Sequence, residues 1–99
     1  MASPTQTTQI QVSFVSERFE LLDIAGDISG KLSLIYGSGP ADPAPFVLTL
    51  TPQYVARALG KRLPASFHEV EKYADDNAGD LREMALLEKG TGRLNLILE

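Results

Sequence analysis

The 99-residue sequence lacks cysteine and tryptophan and contains a single histidine. Without cysteine there is no disulfide, no thiol nucleophile and no cysteine-ligated zinc, so side-chain packing must stabilise the fold. Long hydrophobic runs are also missing, since no apolar stretch approaches the roughly 20 residues of a membrane-spanning helix. The first residues lack the basic and apolar regions of a secretory signal, and we therefore expect a cytoplasmic protein with no membrane partner.

Acidic residues outnumber basic residues in this chain. The chain has nine Lys and Arg against thirteen Asp and Glu, which gives a formal net charge of -4. The whole excess falls within residues 66–89, where seven side chains are acidic and three are basic. A negatively charged protein repels nucleic acids and anionic lipid surfaces, so nucleic acid is not expected as a partner.

Residues 66–89 have the pattern of one long amphipathic helix. Ser66 is a good N-cap, and Glu69, three residues later, completes the sequence of a capping box. Gly90 is placed to end the helix in the left-handed conformation. Gly79 lies at mid-span, where glycine costs about 1 kcal/mol relative to alanine, and it predicts a bend or break. The apolar stripe, with spacings of three and four residues, consists of Phe67, Val70, Ala74, Ala78, Leu81 and Ala85.

Alternation of apolar and polar residues predicts five strands. The clearest is Phe46–Leu50, which is rich in β-branched and aromatic residues. Residues 37–45, the Gly/Pro loop, contain three prolines and two glycines and exclude a regular element. Residues 1–8 are polar and predict a disordered tail before a single domain of residues 9–99. The other strand candidates are residues 10–14, 19–25, 28–36 and 94–98.

A short helix is predicted to follow the central strand. Thr51 is its N-cap, Pro52 takes the first helical position, and Gly60 ends it. The element order is then β-β-β-β-α-α-β. This order is typical of an α+β fold, in which a small antiparallel sheet of four to five strands carries the short and the long helix on one face.

Candidate catalytic and metal-binding residues are few. His68, beside acidic residues at the start of the long helix, is the one histidine available as a general base, but the sequence marks no nucleophile. Asp75, Asp76 and Asp80 lack the alternating spacing of a calcium loop. We therefore predict no catalytic residue, no metal and no cofactor. A small enzyme with a His68–carboxylate site is the alternative.

The segregation of charge predicts a non-enzymatic interaction module. The acidic long helix and the Gly/Pro loop are its expected contact surfaces. Basic residues around the end of the short helix complement the acidic helix, so self-association as a homodimer stands beside binding to another protein. A third interpretation is an acidic anti-defence protein that mimics nucleic acid. The predicted interaction residues are Glu69, Asp75, Asp76, Asp80, Arg57, Lys61 and Arg62.

The second half of the chain has a distinctive order of features. A strand leads through Thr51-Pro52 into a short helix ending at Gly60, then into a long helix rich in acids and alanine, then into a closing strand at residues 94–98. In this order, residues 46–98 resemble a family of small uncharacterised bacterial α+β proteins. The chain departs from the family by lacking a cysteine in the central strand and by its longer Gly/Pro loop. The resemblance implies an α+β fold and no particular activity.

Overall fold

Four strands form one sheet in the computed structural model, which describes residues 18–99. They are β1 (Glu20–Gly26), β2 (Leu32–Gly37), β3 (Phe46–Leu50) and β4 (Asn95–Leu98), and they lie in this order across the sheet. The α+β class is confirmed, and the predicted strand Phe46–Leu50 is found with its predicted bounds. The strand predicted at residues 10–14 and the tail predicted at residues 1–8 lie outside the described residues.

The sheet is mixed, so the prediction of an antiparallel sheet is wrong for its last strand. β1, β2 and β3 are antiparallel neighbours, whereas β4 is parallel to β3. Helices connect β3 to β4 and return the chain to the end of the sheet where β3 begins. β4 therefore enters in the same direction as β3, as in other helical crossovers between parallel strands.

The helices within residues 18–99 are α1 (Pro52–Ala58), α2 (Phe67–Asp76) and α3 (Ala78–Gly90). Their predicted starts are confirmed, because the Thr51 hydroxyl accepts from the Tyr54 N–H at 3.1 Å and the Ser66–Glu69 capping box is complete. In that box, Glu69 N–H donates to Ser66 Oγ at 3.2 Å, and Ser66 N–H donates to Glu69 Oε1 at 2.9 Å. These local contacts satisfy backbone donors that have no partner within the helix.

The predicted long helix is divided at Asn77. This residue has φ -116° and ψ 25°, which lie outside the helical region. The backbone hydrogen bonds continue across it, because its N–H donates to the Tyr73 carbonyl at 3.0 Å and its carbonyl accepts from the Leu81 N–H at 2.9 Å. Its Nδ2 also donates to the Tyr73 carbonyl at 3.0 Å. The break predicted near Gly79 therefore occurs two residues earlier. The helix ends at Gly90, one residue beyond the predicted end at Lys89, and the left-handed conformation predicted for Gly90 is wrong, since the positive φ of 93° belongs to Gly92.

α2 and α3 pack on one face of the sheet, and α1 packs against α2. Alternate residues of β2 and β3 point to this face and are buried, and α2 contacts β2 while α3 contacts β3 and β4. Arg82 of α3 anchors the start of β1, because its Nε donates to the carbonyl of Phe19 at 2.8 Å. The large fully buried side chains are Phe46, Leu48, Leu50, Val55, Val70 and Leu81.

The hairpin between β1 and β2 begins its return strand later than predicted. Asp27 accepts from the Ser29 N–H at 2.9 Å and from the Lys31 N–H at 3.1 Å, and Gly30 has a φ of 91°. Residues 28–30 therefore form the turn, and β2 starts at Leu32 instead of residue 28. A shift in register between Leu21 and Asp23 inserts one extra residue into β1.

Candidate interaction surfaces

An open apolar groove lies between β1 and α2, and we call it the β1–α2 groove. It exists because α2 packs over β2 and leaves the helix-facing side of β1 partly uncovered. Leu21 and Ile24 of β1 form one side of the groove, and the pairing register places them beside Tyr36 and Leu34. Its volume is about 260 Å³. The lining residues are Leu21, Ile24, Leu32, Leu34, Tyr36, Glu71, Ala74, Asp75 and Ala78.

Phe67 covers the same face of β1 near the end of the strand. A Cβ added to Gly26 would lie 2.6 Å from Phe67 Cζ and 2.8 Å from Cε1, so the ring rests directly on the glycine backbone. Gly26 follows Ile24 by two residues and shares its face of the sheet. The aromatic ring therefore bounds the exposed apolar strip of β1 at this end.

The outer edge of β1 carries backbone groups that β2 does not use. The Asp27 N–H donates to the Lys31 carbonyl at 3.1 Å, and bonded and non-bonded pairs alternate along an antiparallel ladder. Gly26 and Ile24 thus occupy non-bonded positions, where N–H and C=O point away from β2. The Ile24 N–H donates instead to Asp23 Oδ1 at 2.8 Å. Within residues 18–99, no strand pairs with this edge.

Acidic side chains flank β1 on both faces of the sheet. Glu71 and Asp75 line the β1–α2 groove from α2, and none of the lining residues is basic. The register places Glu20 and Asp23 on the opposite face of β1. Within the described part of the chain, no cation lies within ion-pair distance of these four carboxylates. The edge of the sheet is therefore apolar along the groove and negatively charged around it.

Two of the predicted interaction residues pair with each other within the chain. Lys61 forms a salt bridge with Glu69, whose carboxylate also serves the capping box of α2. Asp76 is paired with Lys72 at 2.8 Å, and this hydrogen bond raises the pKa of the Lys72 ammonium. The charges of Lys61, Glu69 and Asp76 are therefore partly neutralised within the molecule.

The remaining predicted residues are exposed at separate places. Asp75 lies at the groove, Asp80 lies in the first turn of α3, and Arg57 lies in the last turn of α1. Arg62 follows in the link to α2. Sequence reasoning missed Leu21, Ile24 and Glu71, although the Leu21-Leu22 pair was a signal because it marks the irregular register of β1.

A second, larger cleft of about 880 Å³ lies between the Gly/Pro loop and the end of α3. Asp42 holds the loop together, because its carboxylate accepts from the N–H groups of Ala44 and Ser38, both at 2.9 Å. These bonds, that from Ala44 first, lower the pKa of the Asp42 carboxyl. Arg18 and Lys89 also line the cleft, so its charge is mixed.

His68 is exposed in the first turn of α2. Within residues 18–99, no group of three or more His, Asp or Glu side chains has the arrangement of a metal site. Over the same residues, no helix has both the length and the apolar character needed to cross a membrane.

Comparison of the chain with known protein families, with curated proteins and with solved structures finds no match. The resemblance to small bacterial α+β proteins stays a prediction.

Proposed function

We propose that the protein is a small non-enzymatic module that binds a partner protein through the acidic surface of α2 and the start of α3. The observation that supports this proposal most directly is which carboxylates of this surface form ion pairs with cations and which do not. Asp75 and Asp80 are exposed and lie outside ion-pair distance of any cation within residues 18–99. Such a surface attracts a basic partner and steers its approach.

The Gly/Pro loop is a second contact surface in this proposal. It lies at the end of α3 that is remote from Asp80, beside Lys89. Loops positioned by a rigid scaffold commonly carry binding residues, and Asp42 supplies rigidity here through its two backbone hydrogen bonds. A partner that contacted both surfaces would span the length of α3.

Self-association is the form of this proposal in which the partner is a second copy. Arg57 and Arg62 are exposed near α1 and could meet the carboxylates of another molecule. The pairing of Lys61 with Glu69 inside one chain reduces the charge available for such a contact. Sedimentation of the free protein at low and high ionic strength distinguishes a homodimer from a monomer that waits for a different protein.

The proposal is tested by neutralising the acidic surface without removing volume. A variant with Asp75→Asn, Asp76→Asn and Asp80→Asn, used as bait in a lysate of the source organism, should lose the partner that the unchanged protein captures at low salt. The fold should persist, because all three side chains are exposed. Circular dichroism checks this point.

A matched control carries Glu17→Gln, Asp27→Asn and Glu99→Gln, which changes the net charge by the same three units at positions outside α2 and α3. This control should retain the partner. Equal capture of the partner by the wild type and by both variants would refute the acidic surface as a binding site. Equal loss of the partner in both variants would show that only the net charge matters and that the position of the carboxylates does not.

A further inference from the structure

We infer that the outer edge of β1 and the β1–α2 groove take up an extended peptide segment in which apolar residues alternate with basic ones. The inference rests on the proposed function and specifies the partner's contacting segment. Three features carry it: unused backbone groups along an edge strand, an apolar strip beside that edge, and negative charge on both faces.

The backbone of β1 can accept another strand. The N–H and C=O of Gly26 and Ile24 point away from β2, so an added strand would find two pairs of partners spaced as in a regular ladder. The bond from the Ile24 N–H to Asp23 Oδ1 satisfies that donor while the edge is free. A peptide carbonyl would replace the Asp23 carboxylate. Main-chain bonding of this kind supplies affinity when a peptide adds to a sheet edge.

The side chains of such a strand would alternate between two different environments. Residues on one face would lie against Leu21 and Ile24 at the groove, while those on the other face would lie beside Glu20 and Asp23. Apolar side chains fit the first face, and cations fit the second, since opposite charges on neighbouring strands stabilise the pairing. Flanking cations would also meet Glu71 and Asp75 at the rim.

The size of the groove favours side chains over a free small molecule. Its volume of about 260 Å³ falls below the roughly 300–1,000 Å³ of common ligand pockets. Phe67 rests on Gly26 at one end and limits how far apolar contacts extend along the strand. The site therefore suits a short strand with few apolar positions.

The test uses the full chain and a fluorescein-labelled heptapeptide in which four lysines alternate with three valines. Fluorescence anisotropy should show binding that weakens as ionic strength rises. A peptide of the same composition with lysines and valines in separate blocks should bind at least about tenfold more weakly, because it cannot place apolar residues on one face only. Equal binding of both peptides would overturn the inference.

The matched variants are Ile24→Lys and Ile97→Lys, on opposite edges of the sheet. The two side chains are 51% and 47% exposed, so the substitutions perturb the fold to a similar degree. Ile24→Lys should weaken binding about tenfold, through lost apolar contact and charge repulsion. Ile97→Lys should change it by no more than about twofold. The reverse order, or equal effects, would contradict the site.

Hydrogen exchange on the peptide complex tests the backbone pairing. The amides of Ile24 and Gly26 should exchange more slowly when the alternating peptide is bound. Unchanged exchange at both amides, with binding intact, would show that the peptide attaches by charge alone and would overturn strand addition.

Other occupants give different results, each of which would overturn the inference. Sedimentation of a dimer that Ile24→Lys dissociates would identify a second copy on this edge. Failure of the wild type to bind the peptide, with binding gained by the uncharged variant Val12→Ser and Phe14→Ser, would identify the chain's own residues 9–15. If Asp75→Asn, Asp76→Asn and Asp80→Asn abolish capture of a partner but Ile24→Lys does not, the groove inference fails and the proposed function survives.

Discussion

The contact between Phe67 and Gly26 allows a stability prediction that checks the geometry of the groove. In Gly26→Ala the new Cβ would lie 2.6 Å from Phe67 Cζ, whereas carbon atoms in contact normally lie about 3.5–4.0 Å apart. The ring must therefore move by about 1 Å or more. We expect Gly26→Ala to destabilise the protein, although alanine is usually the better residue in a strand.

The magnitude follows from the burial of the ring. Phe67 is 39% exposed, so a ring displaced completely would return on the order of 100 Å² of apolar surface to water. At about 25 cal/mol per Å² this costs about 2–3 kcal/mol. Alanine recovers about 0.5–1 kcal/mol relative to glycine. Complete displacement is the upper limit, since a shift of about 1 Å relieves the clash, so the expected net loss in the free energy of unfolding is at most about 2 kcal/mol.

Removing the ring should reverse the sign of the effect. In a Phe67→Ala background the nearest remaining neighbour of the new Cβ is the Lys31 carbonyl oxygen at 3.8 Å, an ordinary contact. Gly26→Ala should then be neutral or stabilising by up to about 1 kcal/mol. The free energy of unfolding is measured by urea unfolding, followed by circular dichroism, for the wild type, for Gly26→Ala, for Phe67→Ala and for the double variant. If Gly26→Ala changes the free energy of unfolding by the same amount, within about 0.5 kcal/mol, in the presence and in the absence of the Phe67 ring, the contact is refuted.

Three further predictions concern the segments that hold the surfaces in place. Ser66→Ala should lower the free energy of unfolding by about 0.5–2 kcal/mol, because it removes the N-cap of α2. Ser66→Asp should retain most of the stability that the cap contributes, and urea unfolding measures both variants. Arg82→Met should cost about 1.5–3 kcal/mol by leaving the Phe19 carbonyl without its charged donor; a cost below about 0.5 kcal/mol would contradict that bond. The lowered pKa of Asp42 means that its ionised form stabilises the fold at neutral pH and that this contribution is lost as pH falls through that pKa. The difference in the free energy of unfolding between the wild type and Asp42→Asn should therefore become smaller as the pH falls. A difference that does not change with pH would contradict a stabilising role of the ionised carboxylate.

Local features of the fold could be predicted because neighbouring residues determine them. The Ser66–Glu69 box, the Thr51 cap and the strand Phe46–Leu50 each depend on contacts or patterns within a few residues, and each was confirmed. The break in the long helix was predicted near Gly79, and the structure places it at Asn77. Asparagine is itself disfavoured inside helices because its side chain bonds nearby backbone groups, here the Tyr73 carbonyl, so it was a second signal for the break.

Features set by distant contacts could not be predicted. The parallel direction of β4 depends on where the helical crossover returns, which the alternation of residues 94–98 does not encode. The β1–α2 groove depends on α2 lying over β2 instead of β1. Composition located the acidic residues, but the pairing of Lys61 with Glu69 appears only when the end of α1 and the start of α2 are brought together.

The salt dependence of partner binding is the sharpest test of an acidic binding surface on α2 and the start of α3. The dissociation constant of the captured partner is measured at low and high ionic strength for the wild type and for the variant with Asp75→Asn, Asp76→Asn and Asp80→Asn. If the carboxylates attract the partner, salt should weaken wild-type binding strongly, and the variant should bind weakly with little further response to salt. Tight binding that is independent of salt in both proteins would contradict an acidic binding surface.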